Sequence, residues 1–159
     1  MPSDSNYYTY PMPPGPLTIQ ASSRGIVRIA IGEVALEGAL ASSKITNRCA
    51  TELQEYFAGK RTAFDIPLDI AGSAFQKAVW QEVAAIEYGT TKTCAQVAEA
   101  IGKPGSHRSV GTAVNHNPCP IVIPDHRVAL ADGKTPGAGK EAALKRGLVA
   151  LEKKFALER

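Results

Sequence analysis

The pattern of apolar and polar positions divides the chain into a β-rich first half and a helical second half. Two short runs rich in β-branched residues, Leu17–Ala21 and Ile26–Ile31, flank the turn-forming residues 22–25 and predict a β-hairpin. Residues 63–70 alternate between apolar and polar, but Pro67 cannot donate a ladder hydrogen bond, which leaves an edge strand or an extended linker open. The Pro- and Tyr-rich start of the chain is predicted to be mobile or turn-rich.

Helical spacing of apolar residues predicts one helix in the first half, over residues 45–58. Either Thr46 or Asn47 is expected to cap its start, and Gly59 is expected to end it. In the second half, residues 73–86 place their apolar side chains on one face, and Ser73 is positioned to cap that helix.

Two further predicted helices, 93–101 and 106–114, are joined by a tight turn with Pro and Gly, which is typical of a helix-turn-helix. The second of them is rich in small residues, namely Ser106, Ser109, Gly111, Thr112 and Ala113. Small side chains would let its backbone approach a DNA groove while Arg108 projects, or would let the helix pack tightly on another. The helix can approach DNA on one face and pack on another helix with the opposite face.

A domain boundary is predicted at Ala71 and Gly72. We therefore expect an α+β protein with a small β-rich N-terminal domain, residues 1–71, and a helical C-terminal domain, residues 72–159, that contains the helix-turn-helix and a pocket.

Composition is that of a globular chain, with 44% hydrophobic and 21% charged residues among 159. Without a signal peptide or an apolar run of roughly 20 residues, we expect a cytoplasmic protein. The spacing of the three cysteines and three histidines predicts no disulfide framework, metal site or cofactor. From Ser73 onward, twelve Lys and Arg against eight Asp and Glu give a net charge of +4, which favours this half as the partner of a polyanion.

The segment 120–130, PIVIPDHRVAL, begins as an apparent buried strand and continues with an acid, an imidazole and a guanidinium. Together with Arg108-Ser-Val-Gly-Thr-Ala and Asn117-Pro118, it resembles the signature of the O6-alkylguanine-DNA alkyltransferases. The likeness extends to Phe75-Gln-Lys-Ala-Val-Trp80 and Leu148-Val-Ala-Leu-Glu152, and it is weaker in the first half.

This resemblance implies a fold and a chemistry. Members of the family have a ribonuclease-H-like N-terminal domain, flip a guanine out of the duplex and move its O6-alkyl group to their own cysteine. By resemblance, His126 takes the acceptor proton and is linked to Glu152 through water, Asn117 braces the turn, and Arg108 inserts into the base stack. The implied DNA-contacting residues are Arg108, Cys94, Ser106, Gly111, Lys103 and Arg127. The implied pocket residues are Pro120, Ala138 and Gly139.

The largest departure from the family is Asp125, which stands at the position of the acceptor cysteine. A carboxylate, ionised near its reference pKa of about 3.9, is a far poorer nucleophile toward an alkyl carbon than a soft thiolate. We therefore expect no durable alkyl transfer. As substitute acceptors, Cys119 is expected to be a buried, inert thiol in the apolar strand, and Cys94 to lie on the DNA-facing helix instead of the pocket floor.

Two alternatives stay open. The first is dealkylation through an ester on Asp125 that water cleaves with the help of His126 and Glu152. The second is a pocket repurposed for another small substrate by Ala138 and Lys140. By resemblance the pocket is also wider, because Cys94 and Ala138 stand where the family has tyrosines.

The interpretation we prefer is a DNA-repair protein that binds duplex DNA by its helix-turn-helix in the minor groove and flips an alkylated guanine without accepting the alkyl group. It resembles either an inactivated alkyltransferase or the alkyltransferase-like proteins, which lack the cysteine and hand lesions to excision repair. Expected partners of this monomer are alkylated double-stranded DNA and excision-repair proteins, and no membrane. His126 and Arg127 are expected to offset part of the charge of Asp125.

Overall fold

A computed structural model of the chain describes residues 5–159, which form two compact units. The first unit ends at Ala71, and the second runs from Gly72 to Arg159. The predicted α+β class is confirmed, with a β-sheet in the first unit and mostly helices in the second. Residues 1–4 of the predicted N-terminal domain lie outside the described part. Within residues 5–159, every helix is too short or too polar to span a bilayer.

The first unit is a four-stranded sheet with a helix packed against it. Its elements are β1 (Asn6–Tyr10), β2 (Leu17–Ala21), β3 (Ile26–Ile31), β4 (Ala39–Leu40) and α1 (Lys44–Phe57). The spatial order is β3-β2-β1-β4, with β2 antiparallel to both neighbours and β4 parallel to β1. The predicted hairpin is the β2–β3 pair. β2 is buried along its whole length and packs against α1.

The start of the chain differs from the prediction, because Asn6–Tyr10 forms an interior strand and is not turn-rich. Tyrosine and threonine favour extended backbone, and pairing with Leu17–Ala21 satisfies their backbone groups. The prolines that suggested a turn follow the strand, in residues 11–16.

The helix α1 begins at a cap that the sequence analysis assigned wrongly. Ser43 is the N-cap, because its hydroxyl accepts from the backbone N–H of Thr46 and the Thr46 hydroxyl accepts from the N–H of Ser43. Thr46 is therefore the third residue of a capping box, and Asn47 lies inside the helix. Gly59 follows the helix with φ +77°, as a helix-ending glycine does.

Residues 63–70 are an extended linker, joined to β3 by a bridge between Leu68 and Ile26. A buried acid holds this linker to α1. The carboxylate of Glu52 accepts the backbone N–H groups of Asp65 at 2.9 Å and Ile66 at 3.3 Å. Arg48 and Arg61 lie 3.3 and 3.7 Å from the same carboxylate and compensate its charge.

The second unit consists of α2 (Ala74–Ala84), β5 (Lys92–Thr93), α3 (Cys94–Ala100), α4 (His107–Asn115), a 3-10 helix (Asp125–Arg127), β6 (Val128–Ala129) and α5 (Gly139–Leu157). Ser73 caps α2 as predicted, and Val79, Trp80 and Val83 bury its apolar face. α3 and α4 pack on each other across the short connection 101–106, in the predicted helix-turn-helix arrangement.

The small residues of α4 serve both faces of the helix. On the inner face, Ala113 lets Trp80 approach closely enough for its indole N–H to donate to the Ala113 carbonyl at 2.9 Å. The outer face presents Arg108, Ser109 and Thr112 to solvent. The inner-face contact is the tight packing that the sequence offered as one alternative, and the approach of the outer face to a DNA groove stays a prediction.

The apolar run 120–124 is not the buried strand that its composition suggested. It is a tight turn in which the N–H of Ile123 donates to the Cys119 carbonyl at 2.9 Å, and Ile121 has a positive φ of 76°. Prolines at 118, 120 and 124 have no N–H to give to a strand ladder, so this segment folds back on itself.

Replacing Glu52 tests how strongly it holds the linker in the first unit. We expect Glu52→Ala to lower the free energy of unfolding by about 3 kcal/mol, because two backbone N–H groups, of which that of Ile66 is buried, and two guanidinium groups lose their acceptor. The matched control is Glu55→Ala, whose side chain is 42% exposed and whose ion pair with Arg61 is worth less than about 1 kcal/mol. Urea unfolding followed by circular dichroism measures both; equal losses would contradict the assignment.

Candidate functional site

The turn that carries Asp125 is held by the side chain of Asn117. Its amide N–H donates to the Ile123 carbonyl at 2.8 Å, and its carbonyl oxygen accepts from the N–H of Cys119 at 2.9 Å. Asn117 thus closes the loop from inside, which is the bracing role that the resemblance implied. On the far side of the 3-10 helix, β6 pairs with β5 and fixes the segment's other end.

Glu152 of α5 is the centre of a buried hydrogen-bond cluster. Its carboxylate accepts from His126 Nε2 at 2.6 Å, from Arg127 Nε at 2.9 Å and Nη2 at 3.0 Å, and from the backbone N–H of Gly89 at 3.0 Å. Arg127 also donates from Nη1 to the Ile86 carbonyl at 2.7 Å. The three side chains are buried and hold each other in one orientation.

This cluster corrects two expectations. His126 and Glu152 bond directly, and not through water. Arg127 was expected to contact DNA and to offset the charge of Asp125. Its guanidinium is instead buried, because it neutralises the carboxylate of Glu152. A carboxylate held by an arginine fork acts as an acceptor, so His126 donates from Nε2, and in neutral imidazole the basic nitrogen is then Nδ1.

Asp125 lies in a different electrostatic setting, close to Lys145. The Nζ atom of Lys145 is 3.9 Å from Asp125 Oδ2, and the side chains are 17% and 10% exposed. Burial raises the pKa of Asp125 above its ordinary value, while Lys145, His126 and a hydrogen bond from Asn117 oppose this rise and Glu141 adds to it. The expectation of an ordinary carboxyl pKa was therefore wrong.

Lys145 was not among the site residues predicted from the sequence. A signal for it existed, because Lys145 precedes Glu152 by seven residues and so lies on the same face of α5. Leu148, between them at helical spacing, is buried on that face. Lys145, two helical turns before the buried Glu152, therefore faces the same site as Glu152.

The residues expected to contact DNA, apart from Arg127, lie on or beside α3 and α4. Arg108 and Lys103 are exposed, and within residues 5–159 the Arg108 guanidinium makes no hydrogen bond or ion pair. Ser106 precedes α4 as its N-cap residue, and Cys94 begins α3. A Cβ atom built on Gly111 would lie 3.8 Å from Cys94 Sγ, so these two positions share the α3–α4 packing.

The expected pocket residues fall in two places. Pro120 is half-buried in the turn before Asp125, whereas Ala138 and Gly139 are exposed at the start of α5.

The cysteines are poor substitutes for an alkyl acceptor. Cys119 is completely buried, in the turn and not in a strand as expected. Burial raises the pKa of Cys94, and burial together with Glu52 raises the pKa of Cys49 to about 12. Because the thiolate is the nucleophile, both thiols are less reactive at neutral pH. Among residues 5–159, no three His, Cys, Asp or Glu side chains form a cluster that could hold a metal ion.

Two protein-family models match these two units. The model for the DNA-binding domain of 6-O-methylguanine DNA methyltransferase matches residues 74–154. The model for the ribonuclease-like domain of the same protein matches residues 6–70. The second unit is therefore of the DNA-binding class and the first of the ribonuclease-like class.

Similar proteins agree with this class. A methylated-DNA–protein-cysteine methyltransferase of Mycobacterium bovis is 37% identical over 152 residues, which are 93% of this chain and 92% of that protein. One of Mycolicibacterium paratuberculosis is 48% identical over 103 residues, or 65% of this chain and 62% of that protein. The chain belongs to the 6-O-methylguanine DNA methyltransferase family, a family of DNA-repair proteins with a DNA-binding domain.

Solved structures show the same fold. The O6-methylguanine methyltransferase of Mycobacterium tuberculosis matches with a TM-score of 0.87 at 36% identity, over 95% of this chain and 94% of that chain. The crystal structure of Mycobacterium tuberculosis OGT in complex with DNA matches with a TM-score of 0.87 at 36% identity, over 94% of each chain.

The raised pKa of Asp125 predicts how stability depends on pH. The native state binds this proton more tightly than the unfolded chain, whose pKa is near 3.8, so stability falls as the pH rises from there through the folded pKa. We expect Asp125→Asn to raise the melting temperature at neutral pH, and the gain to shrink as the pH falls through the raised pKa of Asp125, because the wild-type acid then becomes protonated. Thermal unfolding across this range measures it, with the exposed Asp132→Asn as control. A gain that does not depend on pH would contradict the prediction.

Proposed function

We propose that this chain binds duplex DNA, flips an alkylated guanine into a pocket beside Asp125 and leaves the alkyl group in place. The observation that carries the proposal is the buried carboxylate of Asp125 at the acceptor position, next to Lys145. A protein that binds a lesion without repairing it can contribute to repair only if other proteins act on that lesion. We therefore infer that excision-repair proteins take over the bound lesion.

The DNA-binding step is assigned to α3 and α4. The outer face of α4 carries small side chains, which allow close approach to a groove, and Arg108 extends from its first turn without an internal partner among residues 5–159. A base that leaves the stack needs a replacement, and a planar guanidinium stacks well on bases. The structure of a similar protein, Mycobacterium tuberculosis OGT, in complex with DNA supports this step. We assign Arg108 to the position in the base stack that the flipped base has left. Its side chain would enter that position from the minor groove.

The absence of alkyl transfer follows from the chemistry of Asp125. An oxygen nucleophile in a carboxylate is hard and weakly polarisable, and its attraction to Lys145 lowers its reactivity further. His126 would activate a thiol by taking its proton, but an ionised carboxylate has no proton to give. The His126–Glu152 pair therefore has no function in activating this acceptor.

A second function is favoured by one observation, the direct 2.6 Å bond between His126 and Glu152 near Asp125. In this alternative, an Asp125 oxygen attacks the alkyl carbon, the bond from that carbon to O6 breaks, and guanine keeps the electron pair and takes a proton from solvent. Water then attacks the ester carbonyl while His126 Nδ1 accepts its proton and passes it to the departing alkoxide. The alcohol leaves, and Asp125 returns a proton to solvent as it becomes a carboxylate again, so the protein would turn over.

Intact-mass measurement separates these functions. After incubation with a duplex that contains O6-methylguanine, we expect a protein of unchanged mass, no restored guanine in the digested DNA, and a stable complex. Restored guanine without added mass would favour the hydrolytic alternative, and a gain of one methyl group would contradict the proposal. In Asp125→Cys, we expect the gain of one methyl group, because a thiol there can give its proton to His126.

Substituting Arg108 tests the flipping step. We expect Arg108→Ala to weaken binding to the lesion-containing duplex by about 2 kcal/mol, roughly 30-fold, because the vacated place in the stack stays unfilled. Fluorescence anisotropy measures the affinity, and 2-aminopurine beside the lesion reports the flip. Lys134→Ala, which removes another exposed cation, is the matched control. Affinity and flipping indifferent to Arg108→Ala would count against the proposal.

A further inference from the structure

Asp125 and Lys145 form a pair of opposite charges inside the second unit. Within residues 5–159, Lys145 makes no other ion pair, and the buried cation Arg127 is committed to Glu152. The 3.9 Å distance from Nζ to Oδ2 is that of an ion pair and exceeds hydrogen-bond length. Lys145 therefore offsets the charge of Asp125 and leaves Oδ2 able to accept a hydrogen bond.

We infer that this pair selects O6-alkylguanines by the substituent on O6, favouring alkyl groups that end in a hydrogen-bond donor or a positive charge. The inference rests on the proposed function, which brings the O6 substituent to Asp125. An ionised carboxylate only accepts hydrogen bonds. A hydroxyl or an ammonium at the end of the substituent would bind it, a methyl group would gain nothing, and a second carboxylate would be repelled.

The surroundings of Asp125 strengthen this selection. Both side chains of the pair are largely buried, so solvent screens their charges weakly. The groups that affect the charge of Asp125 are Lys145 and His126, which favour its ionised form, Asn117, which donates to it, and Glu141, which adds negative charge. The Nε2–H of His126 is committed to Glu152, so it is not offered to Asp125.

A matched series of lesions tests the inference. One duplex sequence is made with O6-ethylguanine, O6-(2-hydroxyethyl)guanine, O6-(2-aminoethyl)guanine or O6-carboxymethylguanine, so that contacts to the DNA backbone cancel. By competition anisotropy at neutral pH, we expect the aminoethyl lesion to bind at least about tenfold more tightly than the ethyl lesion, with hydroxyethyl between them. The carboxymethyl lesion should bind at least about tenfold more weakly than ethyl.

Two variants assign the selection to the pair. Asp125→Asn keeps the shape but leaves Lys145 unopposed, so we expect the order of the aminoethyl and carboxymethyl lesions to reverse. Lys145→Met keeps the apolar stem, and we expect a wider preference for aminoethyl over carboxymethyl. Circular dichroism and a cooperative thermal unfolding transition confirm that each variant is folded.

The outcomes separate this inference from the function on which it rests. If the wild-type protein binds all four lesions equally and this binding depends on Arg108, the inference is overturned while the proposed function stands. If no lesion binds more tightly than unmodified DNA, both are overturned. Selectivity that is the same in Asp125→Asn as in the wild type would also overturn the inference.

Discussion

The carboxylate of Glu152 imposes the constraint on which the second unit depends, because a buried charge must be compensated by charge and hydrogen bonds. Its partners come from separate segments, namely Gly89 after α2 and His126 with Arg127 in the 3-10 helix. Joining these segments to α5 fixes the backbone that follows the turn. Asp125 begins the same 3-10 helix. Its position therefore depends on the carboxylate of Glu152, which lies far from it in the sequence.

The same need for compensation explains why Glu152 and Asp125 differ. The carboxylate of Glu152 accepts hydrogen bonds from His126 and Arg127, so its role is structural. Asp125 shares the buried surroundings, and burial raises its pKa although Lys145, at ion-pair distance, opposes the rise. Environment, and not residue type, thus distinguishes the two carboxyl groups, and in the proposed function it is Asp125 that faces the ligand.

The sequence predicted the elements that local signals specify and missed those that depend on distant contacts. The β2–β3 hairpin and α2 with its Ser73 cap follow from turn residues and periodicity. β1 was missed because its strand character depends on pairing with β2, while nearby prolines suggested a turn. The prediction of a buried strand over residues 120–124 was wrong. A short apolar run is too short to show a periodicity that would distinguish a strand from a buried turn. The Asp125–Lys145 pair joins residues of two elements, and only the helical spacing to Glu152 hinted at it.

Replacing the acceptor changes which physical quantity decides what the protein does. With a thiol, one successful encounter traps the lesion covalently, so a weak complex suffices if transfer outpaces dissociation. With a carboxylate that does not react, the complex is reversible, and discrimination equals the difference in free energy between bound lesions and bound normal bases. In the function proposed here, that difference must come from contacts in the pocket. A charged pair in a buried place supplies a larger difference between substituents than an apolar wall would, because one methylene group changes binding by only about 1 to 3 kcal/mol.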